Sequence, residues 1–308
     1  MAADNVVRAH TDVMMRARKT AMKRAKTADP ALRSRLRADK AFMGGMLAIS
    51  AIAVLPLVLI LLFIIVRGAS SINWQFLTEL PKPMGEAGGG ISNAIVGTVI
   101  LIIVASVISI PLGVLAGIFL SERGRSPLGR LTRLSVETLM GVPSIVIGIV
   151  AYIWVVRPMT HFSALSGGVA LAMIMLPVIT LATEETLLLI PMSLREAALA
   201  LGVSYPRTVL KVILPAGASG VITGALLAVA RAAGETAPLL FTSFGSPYMV
   251  LSIFKPIASL PQTIFFYATS PYPEWQSLAW GASFVLLVLV LVLNLVTKLV
   301  TSRWKIQF

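Results

Sequence analysis

Residues 191–215 read PMSLREAALALGVSYPRTVLKVILP. Two helical signals meet at a glycine in this stretch. Ser193-Leu-Arg-Glu196 has the spacing of a capping box, in which the serine accepts from the amide of residue 196 and the glutamate reaches back. Ala197, Ala198, Leu199, Ala200 and Leu201 favour helix, and Gly202 supplies the residue that commonly ends one. Ser204 stands as the cap of a second helix whose first turn tolerates Pro206, and Pro215 is expected to stop it. The small residues of the first helix would let a partner surface approach closely, with Arg195, Glu196 and Arg207 fixing its register. A bare helical hairpin can also be a simple connector, so its surroundings matter.

Apolar runs flank the hairpin on both sides. Of 308 residues, 57% are hydrophobic and only 13% charged, with a mean hydropathy of +0.89. Soluble domains carry roughly 25% charged residues, and a bilayer-crossing helix needs about 20 apolar ones. The sequence therefore predicts an all-α integral membrane protein with six spans, at residues 42–66, 91–120, 135–156, 168–183, 216–244 and 278–300. Pro111, Pro143, Pro177 and Pro238 fall inside them, where neighbouring helices can satisfy freed carbonyls. The run 42–66 is too long for a signal-peptide core of about 7–15 residues and reads as a retained span. The absence of cysteine excludes disulfides, thiol nucleophiles and iron–sulfur sites. His10 and His161 lie far apart in poor metal contexts, so no metal site is expected.

The net charge of +13 is concentrated at one end. Residues 1–41 form a basic tail with 11 basic and 4 acidic side chains. Such a patch can bind nucleic acid, but these charges precede a long apolar run, where basic residues are retained on the cytoplasmic side. No nucleic-acid partner is expected. Between Arg8 and Lys26 the tail reads either as an amphipathic helix on anionic lipid or as a disordered basic segment. Placing the amino terminus inside puts 21 of 26 basic residues on the cytoplasmic face and 4 on the other, so both termini are expected to be cytoplasmic. The outer segments are a glycine-rich connector at 85–90 and a stretch at 245–277 rich in proline and aromatics. The latter reads as an interfacial anchor or as a docking surface for an external partner.

Ionisable residues inside spans are functional candidates. Arg231 and Glu235 are four apart in the fifth expected span and can pair. Glu137 lies near the start of the third, and Glu184 and Glu185 at the inner end of the fourth. An uncompensated arginine at mid-bilayer costs about 2.5–3.5 kcal/mol. Glu235 is one compensating partner and an anionic substrate is another, because a guanidinium holds oxyanions through two parallel N–H bonds. The residues leave open a structural ion pair and a substrate role.

The spacing of Glu196, Ala197, Ala198, Gly202, Val212, Leu214 and Pro215 resembles the EAA loop of ABC importer permeases, with valine where isoleucine is commoner. Gly220–Thr242, around Arg231, and Gly141-Val-Pro-Ser-Ile-Val-Ile-Gly148 are similar to segments of the PstA family, permeases of phosphate-specific ABC importers, and the resemblance extends over about residues 90–300. It implies a six-transmembrane-helix, MetI-like permease bundle occupying residues 42–308, with 191–215 as the loop that couples to the ATPase through Arg195, Glu196, Ala197, Ala198, Gly202, Leu214 and Pro215. It further implies a membrane subunit that carries inorganic phosphate into the cytoplasm, with Arg231 and Glu235 on the translocation path. The implied partners are a PstC-like second permease, two PstB-like ATPase subunits, a PstS-like extracytoplasmic phosphate-binding protein and the lipid bilayer, in a bacterial cell membrane. This chain has no Gly-x4-Gly-Lys-Ser/Thr, so ATP and magnesium are expected on the partner ATPase, with no cofactor and no catalysis here. A permease for sulfate or molybdate, a proton-coupled secondary transporter and a signalling subunit are the rival readings.

Overall fold

Backbone groups in hydrocarbon must bond internally, so an apolar chain of this kind resolves into helices. The computed structural model describes residues 30–86 and 88–303, and the amino-terminal tail segment between Arg8 and Lys26 lies outside them. The chain divides into two units, residues 1–62 and 63–308.

The first unit contains most of helix α1 (Pro30–Ala69), which is longer than the expected 42–66 span. From residue 34 to 62 nearly all of its side chains are exposed. A helix apolar all round and uncovered is suited to lipid or another chain rather than water.

In the second unit the end of α1 is followed by a short helix, α2 (Trp74–Thr78), capped by the Asn73 side chain, which accepts from Phe76 N–H at 2.7 Å. The following elements are α3 (Ser92–Arg123), α4 (Pro127–Gly141), α5 (Ser144–Met159), α6 (Ala164–Leu188), α7 (Met192–Ala200), α8 (Tyr205–Ala216), α9 (Ala218–Ala232), α10 (Ala237–Leu240), α11 (Leu260–Ala268) and α12 (Pro273–Arg303). Among the described residues α1, α3, α6 and α12 are each long and apolar enough to cross a membrane. The bent pairs α4–α5 and α8–α9 bring the count to six if each is one span.

The α3–α6 pair is the centre of the bundle. Gly97, Leu101, Ala105, Ser109, Gly113 and Gly117 recur every four residues on α3 and are all buried. Such a ridge of small residues lets two backbones approach closely, which matters in a membrane because lipid offers no hydrophobic drive to associate helices. A Cβ built on Gly117 would lie 2.5 Å from Thr183 Cβ, and one on Gly113 would lie 2.8 Å from Ile179 Cγ2. On the other side of α6, Gly220 and Gly224 of α9 meet Thr186 and Ala182 equally tightly.

Four expectations need correction. The third span, 135–156, is not continuous: the chain turns by 109° between α4 and α5. Pro143 lacks an amide proton and drives Val142 out of the helical region, to ψ 128°. The fifth span, 216–244, ends as helix at Ala232, passes through a turn at Gly234 and restarts at Ala237 with Pro238 in its first turn. Ser193 does not cap the hairpin's first helix, which begins one residue earlier with Pro191 at the cap position. Pro215 does not stop the second one either. A wide turn at Val209–Ile213 moves the hydrogen-bond register so that the proline's missing donor costs nothing, and the 69° bend falls at Gly217.

The segment between α10 and α11 folds back into the unit. Phe244 and Gly245 take left-handed conformations (φ 61° and 92°), and Phe244 bridges to Ile257. Gln262, almost fully buried, donates to the Leu239 carbonyl (2.9 Å) and accepts from the Ser243 and Ser259 hydroxyls (3.1 and 3.0 Å). The carbonyls of Ile253 and Lys255 accept from the first amides of α6. This arrangement satisfies the ends of α6 and α10 where water is scarce.

Candidate functional site

The two segments that carry the family resemblance meet in space. Gly148 of α5 lies against α10, where an added Cβ would sit 2.6 Å from Pro238 Cα. Beside this contact is a pocket of about 210 Å3, lined by residues of the break between α4 and α5 (Val142, Pro143, Ser144), by Ile174 and Pro177 of α6, and by Arg231 and Glu235. The amino-terminal end of α5 is at the pocket, so its unpaired amides and the helix dipole favour negative charge there.

Arg231 occupies the last turn of α9, and Glu235 lies in the turn beyond it rather than on the same helix face. Arg231 Nε and Glu235 Oε1 are 3.8 Å apart, with the side chains 55% and 18% exposed. Charge-assisted N–H···O bonds are about 2.7–2.9 Å long. The pair is an ion pair without a hydrogen bond, and the guanidinium fork stays open towards the pocket. Glu184, by contrast, is buried and pairs with Arg133 of α4, tying that helix to α6. Glu137 and Glu185 are exposed.

The hairpin at 191–216 presents a divided surface. Gly202 has φ 78° and ends α7 in a double-bonded cap: its N–H donates to Leu199 and that of Val203 to Ala198. Glu196, Ala197, Gly202 and Pro215 are exposed, whereas Ala198 is buried and Leu214 partly so. Leu189, Met192 and Leu201 project fully as well, at 84%, 64% and 83% exposure. An apolar patch of this kind beside charged residues marks an interaction surface.

Arg195 points inward. Its Nη1 donates to Oε2 of Glu122 at the end of α3, and the Tyr205 hydroxyl donates to the same oxygen. The carboxylate's acceptance of that proton, reinforced by burial, raises the Tyr205 phenol above its ordinary range. Sequence reasoning missed Glu122. The available signal was an acidic residue at the end of an apolar run otherwise flanked by arginines, at 123 and 125.

On the opposite end an open cavity of about 980 Å3 is lined by residues 80–84, by Phe244–Tyr248, and by the aromatics Phe266, Tyr267, Tyr272 and Trp275. Tyr267 and Trp275 pack with ring centroids 4.6 Å apart and planes tilted by 32°. The aromatic-rich stretch 245–277 therefore forms walls of a cavity as well as surface.

The binding-protein-dependent transport system inner membrane component family matches residues 109–306. The phosphate transport system permease protein PstA of Yersinia pestis is 44% identical over 250 residues, covering 81% of this chain and 85% of that protein. PstA of Xylella fastidiosa (strain 9a5c) is 42% identical, covering 79% and 85%. The probable PstA of Methanocaldococcus jannaschii is 37% identical, covering 83% and 91%. Among solved structures, the inward-facing MetNI methionine ABC transporter in its CY5 native crystal form aligns with a TM-score of 0.57 at 20% identity, over 70% of this chain and 95% of that one. That likeness bears on the fold, which is the α-helical MetI-like permease bundle expected from the sequence. The chain belongs to the binding-protein-dependent transport system inner membrane components and, among them, to the PstA permeases.

Proposed function

We propose that this chain is the membrane-spanning permease subunit of an ATP-driven importer that carries inorganic phosphate into the cytoplasm. The observation that carries this reading is the open guanidinium of Arg231 facing a pocket of about 210 Å3. At about 30 Å3 per water, that volume holds a tetrahedral oxyanion with part of its hydration. The names of the PstA relatives support phosphate as the anion.

Glu235 holds Arg231 charged without occupying its donors, and its own negative charge keeps the site weak. Weakness suits a permease, since an anion must leave as readily as it enters. The hairpin 191–216 is the surface on which two PstB-like ATPase subunits act, with Glu196, Ala197, Gly202 and Pro215 outward. A PstC-like second permease completes the path, and a PstS-like protein delivers phosphate at the outer face. ATP and magnesium belong to the ATPase subunits, and this chain performs no catalysis. The basic residues favour both termini on the cytoplasmic face of a bacterial cell membrane.

Radiolabelled phosphate uptake by the complete complex in proteoliposomes tests the reading with Arg231→Gln. Losing a charged hydrogen-bonding partner is worth about 1.5–3 kcal/mol, or roughly 10–100-fold in uptake efficiency. Uptake at the unsubstituted rate would contradict the role. Competition by sulfate or molybdate as strong as by phosphate would favour another oxyanion. Uptake driven by a proton gradient in the absence of ATP would favour a secondary transporter.

A further inference from the structure

Two donors from different helices converge on one buried carboxylate at the end of α3. Glu122 is 8% exposed in its side chain, and its Oε2 accepts from Arg195 of α7 (15% exposed) and from Tyr205 at the start of α8. The partners are 73 and 83 residues away in sequence. The other oxygen, Oε1, is buried with no hydrogen-bond partner among the described residues. The hairpin is covalently continuous with α6 on one side and α9 on the other, but it has no covalent link to α3. Glu122 supplies a non-covalent one.

We propose that Glu122 is the positioning residue that delivers motion of the hairpin 191–216 to α3, with Arg195 and Tyr205 as its two points of attachment. One donor on one acceptor leaves a pivot. Two donors, one from each helix of the hairpin, fix both its distance and its rotation relative to α3. The unoccupied Oε1 gives the guanidinium fork a second acceptor, so Arg195 can pass to a two-oxygen grip as the hairpin rolls without releasing the carboxylate. Because the glycine ridge of α3 is locked against α6, a displacement of Glu122 moves that pair as a body. Arg195 thus acts inside the permease, while Glu196, Ala197 and Gly202 keep the outward face.

This inference rests on the hairpin being the surface that the ATPase subunits drive. The test uses the complete complex in proteoliposomes and reads phosphate transported per ATP hydrolysed. Wild-type complex that moves no phosphate with ATP would overturn the transport reading itself. With transport established, Glu122→Ala and Arg195→Gln are each expected to lower that ratio at least about tenfold, the size of losing a charge-assisted hydrogen bond, while the ATPase subunits still co-purify. The double variant should be no worse than Glu122→Ala, because both remove the same link. Glu122→Gln, which keeps an acceptor oxygen, should recover part of the ratio. If Glu122→Ala does not assemble, Tyr205→Phe carries the test through a smaller fall in the same ratio. A ratio unchanged in the assembled variants, with only the yield of complex reduced, would overturn the proposal, as would additive losses in the double variant.

Discussion

Replacing Gly117 by alanine adds one carbon to a helix, and intrinsic propensity alone favours the change by up to about 1 kcal/mol. The bundle reverses the sign. The new Cβ would stand 2.5 Å from Thr183 Cβ and 2.6 Å from the Thr180 carbonyl oxygen. Carbon atoms pack at about 3.5–4.0 Å, so α3 and α6 would have to part locally by about 1 Å. Two of the atoms involved are backbone oxygen and a β-branched carbon, which cannot swing aside. Overpacking of this kind costs about 1–3 kcal/mol, and in a chain of this size that lowers the melting temperature by several degrees. Gly45 of α1 provides the contrast, because no described residue lies within 4 Å of a Cβ built there. Gly45→Ala should leave the melting temperature equal or slightly higher. Fluorescence-detected size-exclusion after heating, applied to both variants of the purified protein, measures the two shifts. Equal behaviour of Gly117→Ala and Gly45→Ala would refute the argument that the α3–α6 approach holds the bundle together.

Two further outcomes follow from the geometry. Gly202→Asp sets a side chain at φ 78°, a strain of about 1–2 kcal/mol, where no described residue lies within 4 Å of the added Cβ; with the variant permease still folded by size-exclusion, the ATPase subunits should no longer co-purify, and retained ATPase would count against the hairpin as the contact. Gln262→Leu strands the Leu239 carbonyl and two buried hydroxyls, at about 1–3 kcal/mol for a buried unsatisfied group. The 241–262 segment should then become sensitive to protease in the purified protein, and unchanged resistance would contradict the role of that network.

The Arg231–Glu235 pair illustrates how far a one-dimensional reading goes. Their separation of four residues suggested a shared helical face, and they are within 3.8 Å, but Glu235 reaches its position from a turn past the helix end. The prolines show the same division. Pro111 and Pro177 sit inside long helices, Pro143 breaks the chain by 109°, and Pro215 is absorbed by a wide turn. In sequence Pro111, Pro143 and Pro177 look alike and Pro215 reads as a stop, because whether a freed carbonyl finds a donor depends on what packs beside it.

Composition and apolar run length determined by themselves that this is a helical membrane protein, and the Glu196-to-Pro215 spacing carried its resemblance to the ABC importer permeases. Those properties are local: a backbone in hydrocarbon has to close its own hydrogen bonds, and each run does so within its own length. The tertiary structure alone decided that Arg195 turns inward to Glu122, that Gly148 meets Pro238, and that the α4–α5 break opens onto Arg231. These contacts join residues tens of positions apart, and their energies exist only once the small-residue faces of α3, α6 and α9 have brought the backbones together.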